Sequence, residues 1–520
     1  MAVENNRFAG TDKKFFTVHK AGGVNTRQTR TSIKDEQFSW IENMQPVDDG
    51  TYRALLSNGS AIYTATGGKT IVYIYVFNVS IAPFGFLVLS DGSAVSVSLN
   101  SPFTATTVAG AGTFWAGGTA ILPAAVQVGQ GGIVIVATVG SNNYWAWDGA
   151  TLSSPGGAVP AWLGTGTMPN GISGTGVEVF QSRVWIINGG KITWSAPGNG
   201  GDFVTADGSG SAFSTDSFLR NEFTAIRQAN GFLYLFGDSS INVISNVQTA
   251  GSPTAVTTFN NQNVDPQSGA GWFNGVQVFS RGLVFSNYIG VYALFGGSSQ
   301  KVSDDIDGLF NSAAQLTIAN RTVANQPSTA IANINAVTTF MLLIPLKAPF
   351  DNSFRNALAM WDGKKWYIGS QSSALTFIAS RQIVSTLQTW GTDGTNFFQL
   401  FTTGASTQKY WRTKFFSGEG PQTAKQPMRM YTTAVDNTGT GITISTTLEA
   451  QLEANAASTT QALSTTVPVT TPPVNYLTGV SSTSISVRGN YLGWTSTSTN
   501  SDFTLTAQQL LYQEQSPIGG

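Results

Sequence analysis

Three places in this 520-residue chain combine residue types and spacing that could do chemistry: Trp147-Asp148-Gly149, Trp361-Asp362-Gly363, and the run Asp304-Asp305-Ile306-Asp307-Gly308. An indole beside a carboxylate can stack on a sugar ring while the acid bonds its hydroxyls. The same triplet also ends a β-strand on an aromatic residue and turns the chain, because Asp bonds its own backbone and Gly accepts φ > 0. The turn explains both triplets without a ligand. Asp304, Asp305 and Asp307 ahead of Gly308 suggest a Ca²⁺ loop, but the spacing supplies no further oxygen ligands. Ser303 or Asp304 instead caps a short helix over 303–311.

Other chemistries are excluded or unselected. Cys is absent, so thiolate nucleophiles and Cys-ligated metals are ruled out. The single histidine, His19, would have to supply the base of any Ser-His-Asp triad. No Gly-rich loop carries Gly-Lys-Ser/Thr. Glycosidic hydrolysis usually needs two carboxyl groups flanking one bond, and nothing selects such a pair. Ser90-Asp91-Gly92 lacks the later Trp of a sialidase-type Asp box. Arg183, Arg281, Arg381 and Lys409 stand isolated and read as single salt bridges or loop anchors. The thirteen tryptophans could form a carbohydrate-binding surface, but aromatic residues on strands are more often packing. No catalytic, cofactor-binding or metal-ligating residue is assigned.

The elements around these residues are β. Charged residues make up 11% of the chain, against about 25% in an average soluble protein. Polarity comes instead from Ser, Thr, Asn, Gln and 57 Gly, and net charge is −1. No basic footprint for tight nucleic-acid binding exists. In 180–203, FQSRVWIINGGKITWSAPGNGGDF, Val184–Ile187 reads as a strand, Asn188-Gly189-Gly190 as a turn and Ile192–Ser195 as the returning strand. Similar hairpins recur every ~45–60 residues, the spacing of propeller blades. They fall at 85–99, 133–147, 223–245, 276–295, 338–368 and 382–401. Residues 101–132, 204–221 and 246–271, rich in small and polar residues, read as blade insertions. The run 71–89 is apolar enough to raise a membrane span, but reads better as two buried strands joined at Ala82-Pro83.

The ends differ from the middle. Residues 1–53 hold eight Lys/Arg and seven Asp/Glu, whereas 54–177 carry only Lys69, Asp91 and Asp148. Ser32-Ile33-Lys34-Asp35 fits a helix-capping pattern, with Ile33, Phe38 and Ile41 as a short apolar face; an extended arm fits as well. After residue 420, Thr and Ser dominate. Residues 484–487, 491–496 and 503–512 read as antiparallel strands, and 447–463 as a helix or a strand pair. The expected fold is all-β: an irregular β-propeller of six or seven blades over 61–419, plus a β-rich platform module from segments 1–60 and 420–520.

Residues 25–52, NTRQTRTSIKDEQFSWIENMQPVDDGTY, resemble the opening segment of tail nozzle proteins of short-tailed bacteriophages, also called tail tubular or packaged-DNA-stabilising proteins. Residues 183–203 resemble their blade signature, and 290–310 and 488–512 resemble further recurrent pieces. The resemblance implies a structural virion protein of the phage tail, assembled in the host cytoplasm, without enzymatic activity, cofactor or small-molecule substrate. It implies a hexameric ring below the portal and adaptor, or head-to-tail connector. The ring would conduct and retain double-stranded DNA without binding it tightly and would mount tail fibres or a tip protein. A near-neutral, hydroxyl-rich chain suits a conduit, since dense Lys/Arg would hold the polyanion. A propeller-type glycan-binding adhesin on a virion or cell surface shares that composition and is the alternative.

Overall fold

The computed structural model describes residues 13–18, 22–47, 50–80, 82–118, 121–204, 206–214, 222–310, 326–348, 354–383, 386–403, 407–418, 420–468, 476–481 and 483–515. The chain is a β-propeller of seven blades joined to a two-sheet platform. Six four-stranded sheets and the first four strands of a nine-stranded sheet form the blades. Their innermost strands are Ile71–Val79, Ala124–Val128, Gly176–Phe180, Ala225–Ala229, Val276–Phe279, Ser328–Ile334 and Phe377–Ile383. Each packs on the next, and the seventh packs on the first, which closes the ring.

Middle strands buried on both faces read as continuous apolar runs. Gly132–Val136 (GIVIV) and Tyr144–Trp147 (YWAW) are buried throughout. The outermost strands face water and read differently. Ala105–Ala109, Gly210–Phe213 and Val256–Asp265 are mostly exposed. These strands, together with the innermost strand of blade two, occupy the stretches expected to be insertions. Exposed Thr, Asn and Gln on an edge strand carry no apolar alternation, so composition alone cannot tell them from loop.

Aspartate–glycine turns end strands in four blades. Asp148 Oδ1 accepts from the amides of Ala150 (2.9 Å) and Thr151 (2.6 Å), and Asp362 Oδ1 from those of Lys364 (2.8 Å) and Lys365 (2.7 Å). Asp91 and Asp393 make the same kind of turn. Gly92 adopts φ 81° and lies so close to blade one's own loop that a Cβ would sit 2.0 Å from the Trp115 carbonyl oxygen.

Several boundaries differ from the sequence reading. The 71–89 run is a hairpin of Ile71–Val79 and Ala82–Leu89, with Pro83 inside the second strand. No helix among the described residues is long and apolar enough to cross a membrane. Residues 276–285 break at Ser280, which adopts φ 55°, into Val276–Phe279 and Gly282–Asn287. The 382–390 run divides between Phe377–Ile383 and Thr386–Thr392. Residues 32–35 form turns rather than a helix, because Phe38–Glu42 is drawn, fully buried, into a sheet. Residues 447–463 belong to a hairpin of Ile442–Gln451 and Thr459–Val467. Residues 484–487 are not a strand. Asp304–Phe310 is a 3₁₀ helix.

The seventh blade is completed by Tyr63–Thr64, which pair with Phe397 and Asn396. A chain segment from before the first blade thus fastens the last one. Blade six does not end at its fourth strand. Trp366–Gly369 lies parallel to Phe38–Glu42, with Glu42 opposite Ile368. The sheet continues through Lys409–Thr413, Tyr491–Ser498, Ile442–Gln451 and Thr459–Val467. Lys409–Thr413 therefore sits in the platform although it precedes residue 420. The second platform sheet runs Met44–Pro46, Tyr52–Ala54, Phe503–Gln515, Ala424–Asp436 and Leu477–Val480, with Lys13–Val18 also paired to Phe503–Gln515. One hydrophobic core spans blade six and the platform, including Met341, Trp361, Trp411, Trp494 and Leu510.

Candidate functional site

The sequence-selected motifs resolve into structure-holding contacts. Trp147 and Trp361 are buried beside their turns. Of the thirteen tryptophans, Trp162 and Trp272 are half-buried against the core and the rest are buried. No stacking surface of exposed indoles exists among the described residues. Asp305 accepts hydrogen bonds from Asn25 Nδ2 and Gln37 Nε2, both at 3.3 Å. Asp307 pairs with Lys301 at 2.7 Å, and Asp304 lies 3.8 Å from Arg27. Asp304 and Asp305 tie the N-terminal arm to blade five, whereas Asp307 pairs with that blade's own last strand. No cluster of metal-ligating side chains occurs among the described residues. His19 lies outside the described residues.

Arg183 is a buried anchor. It donates to the carbonyls of Ser195 (3.0 Å) and Gly208 (3.2 Å) and to Thr249 Oγ1. Two other isolated cations are not the simple anchors expected. Lys409 is fully buried, with Thr407 Oγ1 at 3.5 Å as its hydrogen-bond partner, and burial pushes its ammonium down to about 8. Arg381 lines the propeller axis and makes no hydrogen bond or ion pair among the described residues.

That axis holds a cavity of about 250 Å³, lined by the innermost strands. Its polar side chains stand at equivalent points of successive blades, about 50 residues apart: Tyr75, Gln127, Glu178, Arg227, Gln277 and, in blade seven, Arg381. Tyr75 Oη accepts from the Gln127 amide at 2.8 Å. Glu178 Oε1 accepts from the Val179 amide (3.0 Å), and Oε2 from the Gln228 amide (3.3 Å). Arg227 lies 4.0 Å over the Phe273 ring and donates to the carbonyls of Val276 (3.3 Å), Ile226 (3.2 Å) and Phe273 (3.1 Å). Burial pushes the Glu178 carboxyl above its ordinary value, against the opposing pull of Arg227, two amides and Arg381. No ion pair joins Glu178 to either guanidinium.

Glu178 is the one carboxylate lining the cavity among the described residues, so two-carboxylate hydrolysis finds no second member there. The sequence reading marked Arg381 as an isolated cation and missed Glu178 and Arg227. The signal is a charged residue inside an innermost strand: alone among apolar residues in Gly176–Phe180 (GVEVF), and beside Gln or Ser in Ala225–Ala229 (AIRQA) and Phe377–Ile383 (FIASRQI).

The platform is held by a second set of buried polar contacts. Arg30 bonds Glu449 Oε2 (2.6 Å), the Thr413 carbonyl (2.6 Å) and the Trp494 carbonyl (3.2 Å), and stacks 4.0 Å over Phe415. Arg355 grips Glu42, whose Oε2 also accepts from Trp40 Nε1 at 3.0 Å. Gln508 Oε1 accepts from the indoles of Trp411 (2.9 Å) and Trp494 (2.6 Å). On the outer face of the second sheet, Phe15 lies opposite Leu511 and Tyr431 opposite Val480. The Phe15 and Tyr431 rings are 6.1 Å apart, and Phe15 is 53% exposed. These four apolar residues run diagonally across four strands, with Arg429 opposite Leu511 and Gln509 opposite Tyr431.

No family model matches the chain, and no curated protein matches it. Among solved structures it is similar to BBS1N from a complex with ARL6DN, at 9% identity and a TM-score of 0.40, covering 67% of this chain and 97% of that one. It is also similar to AofleA from Arthrobotrys oligospora, at 11% identity and 0.31, covering 67% and 91%. A Trypanosoma rangeli sialidase aligns at 9% identity and 0.25, covering 96% of each chain. Likenesses this distant carry no functional argument.

Proposed function

We propose that this chain is a structural protein of a short-tailed phage virion: a ring-forming tail nozzle that conducts and retains DNA and mounts tail fibres or a tip. The observation that carries the reading is the platform. Segments Lys13–Val18 and Phe38–Ala54 interleave with Lys409–Gln515 in two sheets, and one of these sheets is continuous with blade six. The resemblance of residues 25–52 and 488–512 implies a platform of that composition. A platform fused to a blade fixes the propeller's direction relative to the platform.

An axial cavity of about 250 Å³ is far too small to pass duplex DNA, so the conduit in this reading runs between subunits. The Phe15–Leu511–Tyr431–Val480 diagonal, exposed at Phe15 and Val480 and half-buried between them, suits a subunit contact, because exposed apolar surface gains by being covered. The role is mechanical and non-enzymatic. Burial of the tryptophans weighs against the glycan-binding adhesin. Electron microscopy of the purified protein, alone and with its adaptor, is expected to show rings of six. Strictly monomeric copies in intact virions would overturn the reading.

A further inference from the structure

We propose that the axial cavity is a binding site for a small hydroxylated carboxylate of the uronic-acid class. Three charged groups from three blades, Glu178, Arg227 and Arg381, meet at this cavity without pairing with one another. Half-buried charges that have no ion partner are costly. A fold held together only by packing would have apolar residues at these positions.

The free valences define the ligand. A guanidinium has five N–H donors, and Arg227 points three of its contacts at backbone carbonyls, which fixes its plane over Phe273. Its remaining donors and the whole of Arg381 are available to a carboxylate, which guanidinium geometry matches. Tyr75 Oη already accepts from an amide, so its own O–H is left to donate. Glu178 has lone pairs beyond the two it uses, and these suit ligand hydroxyls. Two guanidiniums against one carboxylate favour a single negative charge. The nearby Glu178 disfavours a phosphate dianion. The volume of about 250 Å³ admits a monosaccharide-sized molecule rather than a chain of them.

This site depends on the propeller axis alone and is independent of ring formation. Isothermal titration of the full chain at neutral pH with glucuronate, glucose and inorganic phosphate tests it. Glucuronate is expected to bind saturably, while glucose and phosphate do not. Arg381→Gln, which removes no hydrogen bond or ion pair among the described residues, is expected to weaken glucuronate at least ~10-fold, about 1.4 kcal/mol, in a protein that still folds cooperatively. Arg281→Gln, an exposed arginine outside the cavity, should bind as the parent does. Glu178→Gln is expected to admit phosphate. Absence of glucuronate binding, equal binding of glucose or phosphate by the parent, or undiminished binding by folded Arg381→Gln would each overturn the assignment.

Discussion

Glu178 and Lys409 show how single residues report their surroundings. Glu178 is raised by burial, so its ionised form costs stability in the folded state. A carboxyl with a raised folded value supports the fold at pH below its unfolded value, and that support is lost as pH rises through the folded value. Glu178→Gln removes the charge and keeps one oxygen for the Val179 amide, giving up the longer 3.3 Å bond from the Gln228 amide. It is expected to raise the melting temperature at neutral pH, with the gain shrinking as pH falls toward about 4; scanning fluorimetry across pH checks this. A loss of stability at neutral pH would contradict it. Lys409 is the converse case. Its value is lowered to about 8, chiefly by burial, so the folded state binds its proton less readily than the unfolded chain. The cost is full below pH 8 and fades above it. Lys409→Met is expected to stabilise the protein by about 2 kcal/mol at neutral pH, and the gain should diminish on raising pH from about 8 toward 10. Neither environment was legible in the sequence, because each depends on what distant strands place around one charged side chain.

At the scale of elements, the strands that were legible are those with a strong local signal. Val184–Ile187 and Tyr144–Trp147 combine buried, branched or aromatic residues with an Asn-Gly or Asp-Gly turn beside them, and Val337–Leu346 is a long apolar run. Outer strands such as Val256–Asp265 were hidden because they pair through backbone alone while showing Thr and Asn to water. The capping pattern at Ser32–Asp35 misled because the following residues, Phe38–Glu42, are claimed by a sheet whose partners lie more than 300 residues away in Trp366–Gly369 and Lys409–Thr413. What fastens those platform strands is a polar hub. Gln508 receives two indole N–H groups and donates to Thr446 and Ser496, all within the core. Gln508→Leu would leave both indoles unpaired and is expected to cost about 2–4 kcal/mol. Chemical denaturation monitored by tryptophan fluorescence checks this. A cost below about 1 kcal/mol would mean that water or a neighbouring group replaces the amide.

At the scale of the whole molecule, the N-terminal segment works twice. Its first strands build the platform, and Tyr63–Thr64 then close blade seven. Platform and propeller are thereby joined at two places, a connection the proposed ring would use to transmit load. The sequence carried the blade repeat and the distinct texture of both ends. It did not carry the fusion of blade six with the platform, since that rests on the parallel pairing of Glu42 with Ile368. If the outer diagonal is the subunit contact, Phe15→Asp should abolish ring assembly and leave a folded monomer of unchanged melting temperature, as read by native mass spectrometry. The most direct test is electron cryo-microscopy of the protein with its adaptor and in intact virions. The account predicts a six-fold ring with platforms in mutual contact and a DNA-wide channel between subunits. Isolated copies, or a ring whose contacts avoid the platform, would contradict it.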